Sequence, residues 1–566
     1  MRRVSPGCIV FVLLALRAQA APPEPVRSPV LTALEKSVAR SMKVLKEKGD
    51  PPPYFLSYLV TETDERQLSA TRGSVRRNSQ NRVRLADVDV RVGSYDLDST
   101  RRLRGTRGFD FDRTRPITLP IDDDADALEA GLWLETDRRY RAAAERLPQV
   151  KADVAVKAAA EDASGDLSKE APDRMILPLS GPAPDLNGYE ARLRSLSRHF
   201  DDEPAILESE VFLATSSTKK WFASSEGASV QQGSTAWRIS LYATARADDG
   251  MDLYLYDSFS ARSAAGLPDD ASLRLAAAKM KKTLLALRTA PPLEPFTGPA
   301  ILSGRAAGVF FHEIFGHRIE GHRQKDERES QTFTKMVGEK VLPDFLSVYD
   351  DPTLVSIAGV DLNGTFAADD EGVRARRVTV VENGVLRSFL MSRSPVAGFA
   401  SSNGHGRAQA GRRPVGRQAN LIIEASRTVP PARLREMLIE ECRKQGKPYG
   451  LVIDDISGGF TFTGRSLPQS FKVIPLVVTR VWADGRPDEL VRGTDLIGTP
   501  LVSFSKILAA GDDRAVFNGY CGAESGLVPV AASAPSLLTA QIEVQRREKE
   551  SSRPPILPPP GREVRP

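Results

Sequence analysis

The residues best suited to chemistry lie between Gly308 and Arg323, where the sequence reads G-V-F-F-H-E-I-F-G-H-R-I-E-G-H-R. This segment holds His312, His317 and His322, which are three of the five histidines in the chain. Imidazole is a common metal ligand, and a carboxylate beside a ligand can serve as a general base. The segment therefore predicts a metal site with His312 and His317 as ligands and Glu313 as the base.

The spacing of the two histidines, H-E-x-x-x-H, differs from the commoner H-E-x-x-H helical motif by one residue. On a regular α-helix an i,i+5 pair lies about 140° apart around the axis and cannot grip one ion. A π-bulge would bring His317 back above His312, and Gly316 is the residue with least resistance to such a distortion. The alternative is a charged surface helix whose histidines bind nothing, although the flanking apolar residues favour a buried helix beside a cavity.

Length and composition predict a globular protein with more than one domain. The chain has 566 residues, of which 41% are hydrophobic and 27% charged. Its formal net charge is +5, but 73 acidic residues are mixed among 78 basic ones. No concentrated basic patch is evident, so we expect no nucleic-acid partner.

The N-terminus has the composition of a signal peptide over residues 1–20. Arg2 and Arg3 precede a short apolar run, and Ala18-Gln19-Ala20 supplies small residues for cleavage. We therefore expect an exported protein, periplasmic or secreted, without a permanent membrane anchor. Cleavage would leave Cys442 and Cys521, and a disulfide between them is one interpretation of that pair.

The pattern of the remaining chain predicts an α+β fold. Residues 21–290 read as an N-terminal α+β domain, with a mobile insertion near 151–184. Residues 299–545 read as a mainly antiparallel β domain that carries the metal-binding helix, and Pro431–Lys444 as a helix with Cys442 on its apolar face. Residues 546–566 are rich in proline and are predicted to be disordered.

A series of motifs over Pro299 to Val544 resembles the TldD/PmbA metallopeptidases. After H-E-I-F-G-H-R-I-E-G-H the series continues with D-D-E-G (369–372), E-N-G-V-L (382–386), S-N-G-H-G-R (402–407), V-R-G-T-D-L-I-G-T-P-L (491–501) and G-Y-C-G-A-E-S-G-L-V-P-V (519–530). The resemblance implies that His312, His317 and Cys521 hold zinc and that Glu313 is the general base. It also implies a catalytic TldD-type subunit that forms a homodimer, or a heterodimer with a PmbA-like subunit, and acts on short or unfolded peptides.

Three further residues near these motifs are candidates for a role at the site. His322 stands where the family leads us to expect aspartate, so it is a further candidate ligand or substrate contact. Glu320 is expected to orient a ligand imidazole, with a rival role as the third ligand. His405, in a glycine-rich loop near Arg407, is a candidate to hold a peptide carboxylate.

The chemistry of two imidazoles and a thiolate is that of a catalytic zinc site with its fourth position open. Glu313 would take a proton from water and hand it to the leaving amine of a cleaved peptide. Two other functions fit the same residues: a catalytically silent binding subunit with a structural metal, and a zinc hydrolase of non-peptide amides or esters. The retention of Glu313 argues against the silent subunit, because a structural site needs no base.

Overall fold

The structure, a computed structural model, describes residues 25–103, 116–156, 162–329, 331–461, 463–464, 471–498 and 500–547. The helices are α1 Pro29–Lys48, α2 Ala125–Ala155, α3 Glu190–Ser197, α4 Asp270–Thr289, α5 Gly304–Ile314, α6 His322–Lys325, α7 Pro431–Lys444 and α8 Pro500–Ser505. Two large sheets lie among them, one in each half of the chain. This arrangement confirms the predicted α+β fold class.

The N-terminal sheet has seven strands within the described residues, in the order β3-β2-β1-β5-β6-β4 with β7 beside β6. Its strands are β1 Pro53–Thr71, β2 Ser74–Val92, β3 Ile117–Thr118, β4 Arg174–Ile176, β5 Ile206–Ser224, β6 Ser229–Arg246 and β7 Asp252–Ala261. Near β1 and β2 it packs on α1 and α2 through buried residues such as Tyr58 and Leu132. Near β5 to β7 it packs on α3 and α4 through residues such as Leu213 and Leu284.

Local signals in the sequence set most of these boundaries. The Ser28 side chain accepts a hydrogen bond from the amide of Leu31 at the start of α1, which ends at Lys48 with Gly49 as its C-terminal cap. Asp249-Gly250, a common hairpin-turn sequence, separates β6 from β7, and Gly250 has a φ of 89°. Strands β1 and β2 are each 19 residues long, and their charged residues neutralise each other across the sheet: Glu62 pairs with Arg84 and Lys219.

The segment predicted to be a mobile insertion, residues 151–184, is partly built into this domain. Helix α2 continues into it as far as Ala155, and β4 pairs in parallel with β6. The side chain of Asp166 accepts hydrogen bonds from Arg101. Alanine, glycine and proline made this segment look irregular, whereas pairing with a distant strand fixes part of it.

The C-terminal sheet has eleven strands in the described part of the chain, in the order β13-β12-β9-β16-β22-β20-β18-β17-β8, with β19 beside β18 and β21 beside β22. Its strands are β8 Phe296–Leu302, β9 Leu346–Asp350, β12 Val378–Glu382, β13 Val385–Leu386, β16 Asn420–Ala425, β17 Tyr449–Thr461, β18 Phe471–Trp482, β19 Glu489–Val491, β20 Thr494–Gly498, β21 Ile507–Ala523 and β22 Gly526–Arg546. Two small hairpins complete the list: β10 Ser356–Ile357 with β11 Val360–Asp361, and β14 Gly406–Arg407 with β15 Val415–Gly416. Most pairings are antiparallel as predicted, and β22 also pairs in parallel with β16.

Helix α5 is the central helix of this half and lies on β22, β17 and β21. Its apolar side chains join an aromatic cluster in which Phe310 and Phe311 both contact Phe504. A Cβ added at Gly304 would lie 2.7 Å from the carbonyl oxygen of Ala534, so glycine permits the close approach to β22. Helix α7 has the predicted bounds and buries Cys442 in a separate apolar cluster.

Two further predictions concern the ends of the chain. The predicted disordered tail falls largely on residues 548–566, which lie outside the described residues. Among the residues that are described, no helix is both long and apolar enough to cross a membrane.

Candidate metal centre

The backbone between the two histidines tightens, and the predicted π-bulge is wrong. Helix α5 ends at Ile314, and Gly316–Arg318 form one turn of 3₁₀ helix that carries His317. The amide of Phe315 still bonds the carbonyl of Phe311 at 3.0 Å, and the amide of Arg318 bonds the carbonyl of Phe315 at 2.9 Å. The helix axis thus stops before His317, which frees this ring from the 100° step of a continuous α-helix.

Gly316 is the critical residue of this turn, as predicted, but for a steric reason. A Cβ at Gly316 would lie 1.9 Å from Oε1 of Gln418. The Gln418 side chain is buried there, and its Nε2 donates to the carbonyl oxygen of His312 at 3.3 Å. The missing side chain of Gly316 therefore makes room for an amide that holds the C-terminal end of α5.

Cys521 reaches the histidines from the other end of the domain. It lies in β21 opposite Val528 of β22, close to the turn of this hairpin. Its Sγ is 3.3 Å from Nε2 of His317, and one ligand atom from each of His312, His317 and Cys521 lies within 4.8 Å of the others. All three side chains are buried. The structure thus brings together the three residues that the sequence and the family resemblance singled out.

The donor set and its surroundings fit a zinc ion. In a tetrahedral site with bond lengths of about 2.0 to 2.3 Å, neighbouring ligand atoms lie roughly 3.5 Å apart, which matches this cluster. Nδ1 of His312 is also buried and has no hydrogen-bond partner among the described residues. A buried polar atom without a protein partner is expected where an ion or an ordered water binds.

The electrostatics of the cluster favour a thiolate. Burial raises the pKa of Cys521, but the charges of His317, His312 and Arg417 outweigh it and hold the pKa well below its usual range. Burial lowers the pKa of His317, but the Cys521 thiolate and Glu320 together hold it well above its usual range. A thiolate is the form of cysteine that binds a metal, so the surroundings prepare Cys521 for that role.

Glu320 lies behind His317 and does not share the cluster. Its Oε2 is 3.2 Å from Nδ1 of His317, whereas Cys521 is at Nε2 of the same ring. Burial raises the pKa of Glu320, but the charges of His317 and Arg323 outweigh it and lower the pKa to about 2. A permanently ionised carboxylate at Nδ1 fixes the orientation of the ring, which was the role expected of Glu320.

His322 belongs to an ion-pair network beside the cluster. Its Nε2 is in very close contact with Oε1 of Glu524, and Glu320 lies near both. Arg323 touches Glu320 at 2.9 Å and Glu524 at 2.7 Å, so a guanidinium already neutralises these acids. We therefore interpret this group as a structural network and not as a second cation site.

Glu313 has the exposure that a general base needs. It is half-buried at the end of α5, and its Cγ lies 3.2 Å from where a Cβ of Gly459 would be, so glycine leaves room for it. No hydrogen bond or ion pair joins its carboxylate to another residue in the described part of the chain. Its charge raises the pKa of the adjacent His312, in addition to the larger effect of Cys521. The carboxylate is thus near the cluster and able to accept a proton.

The proposed role of His405 in peptide binding does not fit the structure. His405 is fully buried, with Nε2 at 3.3 Å from Oδ1 of Asp350 and Nδ1 near Asn403. The guanidinium of Arg407 donates to the carbonyl oxygens of Gln418 and Pro529. The side chains of His405 and Arg407 therefore stabilise the loop through these contacts.

The disulfide interpretation is also excluded. Cys442 and Cys521 are both free and buried, in different clusters. Burial raises the pKa of Cys442 to about 11, so it behaves as a small apolar residue of α7.

Sequence comparison shows that this half of the chain is similar to metallopeptidases. Residues 296–546 match the PmbA/TldA metallopeptidase C-terminal domain. A metalloprotease of Methanocaldococcus jannaschii is 28% identical over 45% of this chain and 52% of its own length. A metalloprotease of Methanothermobacter thermautotrophicus is 26% identical over 64% of this chain and 75% of its own length. The chain thus spans about half the length of the first of these relatives and three quarters of the second.

Two other relatives have more specific names. A metalloprotease TldD homolog of Buchnera aphidicola is 25% identical over 44% of this chain and 48% of its own length. A zinc metalloprotease TldD homolog of Saccharolobus solfataricus is 24% identical over 44% of this chain and 51% of its own length.

The fold is shared with solved structures over nearly the whole chain. TldE from Thermococcus kodakarensis aligns with a TM-score of 0.58 at 14% identity, over 91% of this chain and 100% of its own. A protein of Thermotoga maritima described as a putative modulator of DNA gyrase aligns with a TM-score of 0.60 at 16% identity, over 90% and 99%. The two-sheet fold is thus shared with these solved structures, and residues 296–546 carry the sequence similarity to the TldD/PmbA family.

The comparisons correct one prediction. The residues predicted to form a signal peptide, 1–20, lie outside the described residues, so that prediction rested on composition alone. The relatives come from archaea and from bacteria such as Buchnera, and they do not indicate a signal peptide or a periplasmic location. The periplasmic assignment is contradicted by these relatives and is not retained.

Proposed function

We propose that this protein is a zinc-dependent peptidase of the TldD type, with His312, His317 and Cys521 as the zinc ligands. The observation that carries the proposal is the buried cluster of two imidazoles and a thiolate beside the half-exposed Glu313. When bound, zinc supplies Lewis acidity that acidifies water and polarises a carbonyl group. The names of the metalloprotease relatives agree with this chemistry.

Glu313 and Glu320 have different roles in the proposed reaction. The Glu313 carboxylate accepts a proton from the attacking water and delivers it to the leaving amine. Glu320 accepts a hydrogen bond from Nδ1–H of His317 and so keeps Nε2 free for the metal. Retention of a base that makes no structural contact favours an enzyme over a silent binding subunit.

The site also offers a place for an extended substrate. Strand β21 carries Cys521 and pairs with β22 on one edge, and no strand in the described part of the chain forms a ladder with residues 514–523 on the other edge. A peptide can add to such an edge through its backbone, which gives affinity with little side-chain selectivity. We therefore propose short or unfolded peptides as substrates, and a second subunit, either a TldE-like chain or another copy, as the partner.

The proposal is tested with Glu313→Gln, which removes the base but keeps the shape of the side chain. We expect the fold and the metal content of wild type, with peptide hydrolysis lower by at least about a hundredfold. Glu339→Gln is the matched control, because Glu339 is exposed and away from the cluster. The measurements are metal analysis and digestion of a peptide library, with non-peptide amides and esters assayed in parallel. Hydrolysis by Glu313→Gln at the wild-type rate would remove Glu313 from the mechanism.

A further inference from the structure

We propose that Arg417 is a positioning residue that ties the Cys521 hairpin to the His317 side of the metal cluster. The inference rests on the proposed zinc site and adds to it a residue that no motif of the sequence indicated. Its basis is that a single buried guanidinium contacts both structural units that supply ligands.

The contacts of Arg417 span the two sides of the cluster. Nη2 donates to the carbonyl oxygen of Cys521 at 2.9 Å, and Nη1 donates to Oγ of Ser525 at 2.6 Å, in the turn of the same hairpin. On the other side, Nε forms an ion pair at 3.2 Å with Oε1 of Glu320, whose other oxygen contacts His317. Arg417 therefore links the backbone of one ligand to the carboxylate that orients another.

We call these contacts of Arg417 the clamp. A clamp is needed because the two elements that carry the proposed zinc ligands are far apart in the chain. His312 lies near the end of α5 and His317 on the 3₁₀ turn that follows it, whereas Cys521 lies on a hairpin 204 residues after His317. The exposed side chains at the hairpin end, Tyr520 and Leu527, are each 56% accessible, so packing alone holds this end weakly. The hydrogen bonds from Arg417 supply the fixed connection.

Arg417 is itself held rigidly. Its amide donates to the carbonyl oxygen of His405 at 3.0 Å. Two and three residues later, the amides of Ala419 and Asn420 donate to the carboxylate of Asp350, which is fully buried and also contacts His405. This arrangement gives His405 and Asp350 a role: they anchor the segment from which Arg417 reaches the cluster.

Arginine is specifically suited to this position. The guanidinium presents donors in a planar fork, so it can bond the hairpin and face Glu320 at the same time. Its positive charge also helps to hold the pKa of Cys521 low, after the larger effects of His317 and His312. Lysine would keep the charge but has a single nitrogen, which cannot reach both sides of the cluster.

The test compares Arg417→Met and Arg417→Lys with the matched variant Arg492→Met. Arg492 is a buried arginine of the same domain that donates to the carbonyl oxygen of Ala290 and pairs with Asp249, away from the cluster. The first readout is zinc affinity, from competition with a chelating indicator. The second is hydrogen exchange of residues 518–530 in protein freed of metal, which reports on the hairpin without any metal.

We expect zinc affinity to fall at least about tenfold in both Arg417 variants, the lower end of the range for residues that orient metal ligands. We also expect at least about tenfold faster exchange in the hairpin, with Arg492→Met unchanged in both readouts. Wild-type exchange and wild-type zinc affinity in Arg417→Lys would overturn the clamp and leave the zinc site intact. A wild-type protein that binds no zinc, with faster hairpin exchange only in the Arg417 variants, would instead refute the zinc site while supporting the clamp.

Discussion

At the scale of the residue, Cys521 is the proposed zinc ligand whose chemistry differs most from that of its neighbours. Its thiolate brings negative charge into a buried cluster that otherwise contains two imidazoles, with Arg417 close by. A serine hydroxyl at this position would remain neutral at physiological pH and is a poor zinc ligand. Loss of Cys521 would therefore remove the negative charge of the proposed metal site as well as one ligand atom.

We accordingly expect Cys521→Ser to lose most of its bound zinc, from about one ion per chain in wild type. Cys442→Ser is the control, because Cys442 is equally buried but lies in the apolar contact between α7 and the sheet. Metal content by mass spectrometry of both purified variants is the measurement. Full occupancy of Cys521→Ser would show that another residue, such as Glu320 or His322, completes the site.

The residues that could be predicted here are those with distinctive chemistry. His312, Glu313, His317 and, through the family resemblance, Cys521 were all identified from the sequence, and the structure brings the two histidines and the cysteine together. Arg417 was not identified, because arginine is common and its partners Glu320, Cys521 and Ser525 are distant from it in the chain. The assignment of His405 to peptide binding failed for the same reason, since its buried partner Asp350 lies 55 residues away.

At the scale of the element, the end of α5 decides where His317 points. The α-helix gives way to a 3₁₀ turn after Phe315, and the Gln418 amide occupies the space beside Gly316. The sequence predicted that the backbone must depart from a regular helix, because two histidines five residues apart face different directions. It predicted a π-bulge and not the 3₁₀ turn that forms, because the form of the turn depends on Gln418, which belongs to a distant loop.

Gly316→Ala tests this account of the turn. The new methyl group would overlap the Gln418 side chain, so we expect a loss of about 1–3 kcal/mol in the free energy of unfolding, together with weaker zinc binding as His317 moves. Gly188→Ala is the control, because a Cβ there meets nothing within 4 Å. Denaturant unfolding and zinc titration are the measurements. Equal stability of Gly316→Ala and wild type would show that Gln418 does not constrain the turn.

At the scale of the whole molecule, polar contacts join the two sheets. The Lys220 side chain on β5 is in close contact with Asp370 of the D-D-E-G motif, and Arg393 pairs with Glu226 at 2.6 Å. A phenylalanine ring of the N-terminal sheet, Phe222, packs where a Cβ of Gly372 would lie. The D-D-E-G motif thus serves to dock the N-terminal sheet, a role that only the folded structure reveals.

Assembly into a dimer or larger particle remains a prediction that rests on the family. Two segments have a composition that suits close contact between subunits: the glycine-rich residues 402–411 and the apolar run from Leu496 to Leu508. In the structure Leu496, Phe504 and Ile507 are buried within the C-terminal domain, and His405 and Arg407 are buried in their loop. These five buried residues stabilise the subunit itself.

We expect size-exclusion chromatography with light scattering to give at least a dimer, with digestion of a short peptide much faster than digestion of a folded protein. An enclosed site would explain both results, because a folded substrate could not enter it. Chains mixed with a TldE-like partner are the comparison that distinguishes homodimer from heterodimer. Full activity in a monomer, or equal digestion of folded and short substrates, would contradict the enclosed site and leave the zinc assignment unaffected.

The route by which a peptide reaches the cluster can be tested through the backbone of the substrate. Residues 514–523 of β21 have an edge that pairs with no strand in the described part of the chain, and along it alternate residues of an added strand would direct their amides toward β21 and the others away. Methylation of one peptide nitrogen at a time should therefore lower kcat/KM with a period of two residues, by about tenfold where a hydrogen bond is lost. Alanine substitution at the same positions should have smaller effects, because the side chains are not what the edge recognises. Equal sensitivity at every methylated position, or at none, would show that the peptide does not bind as an added strand.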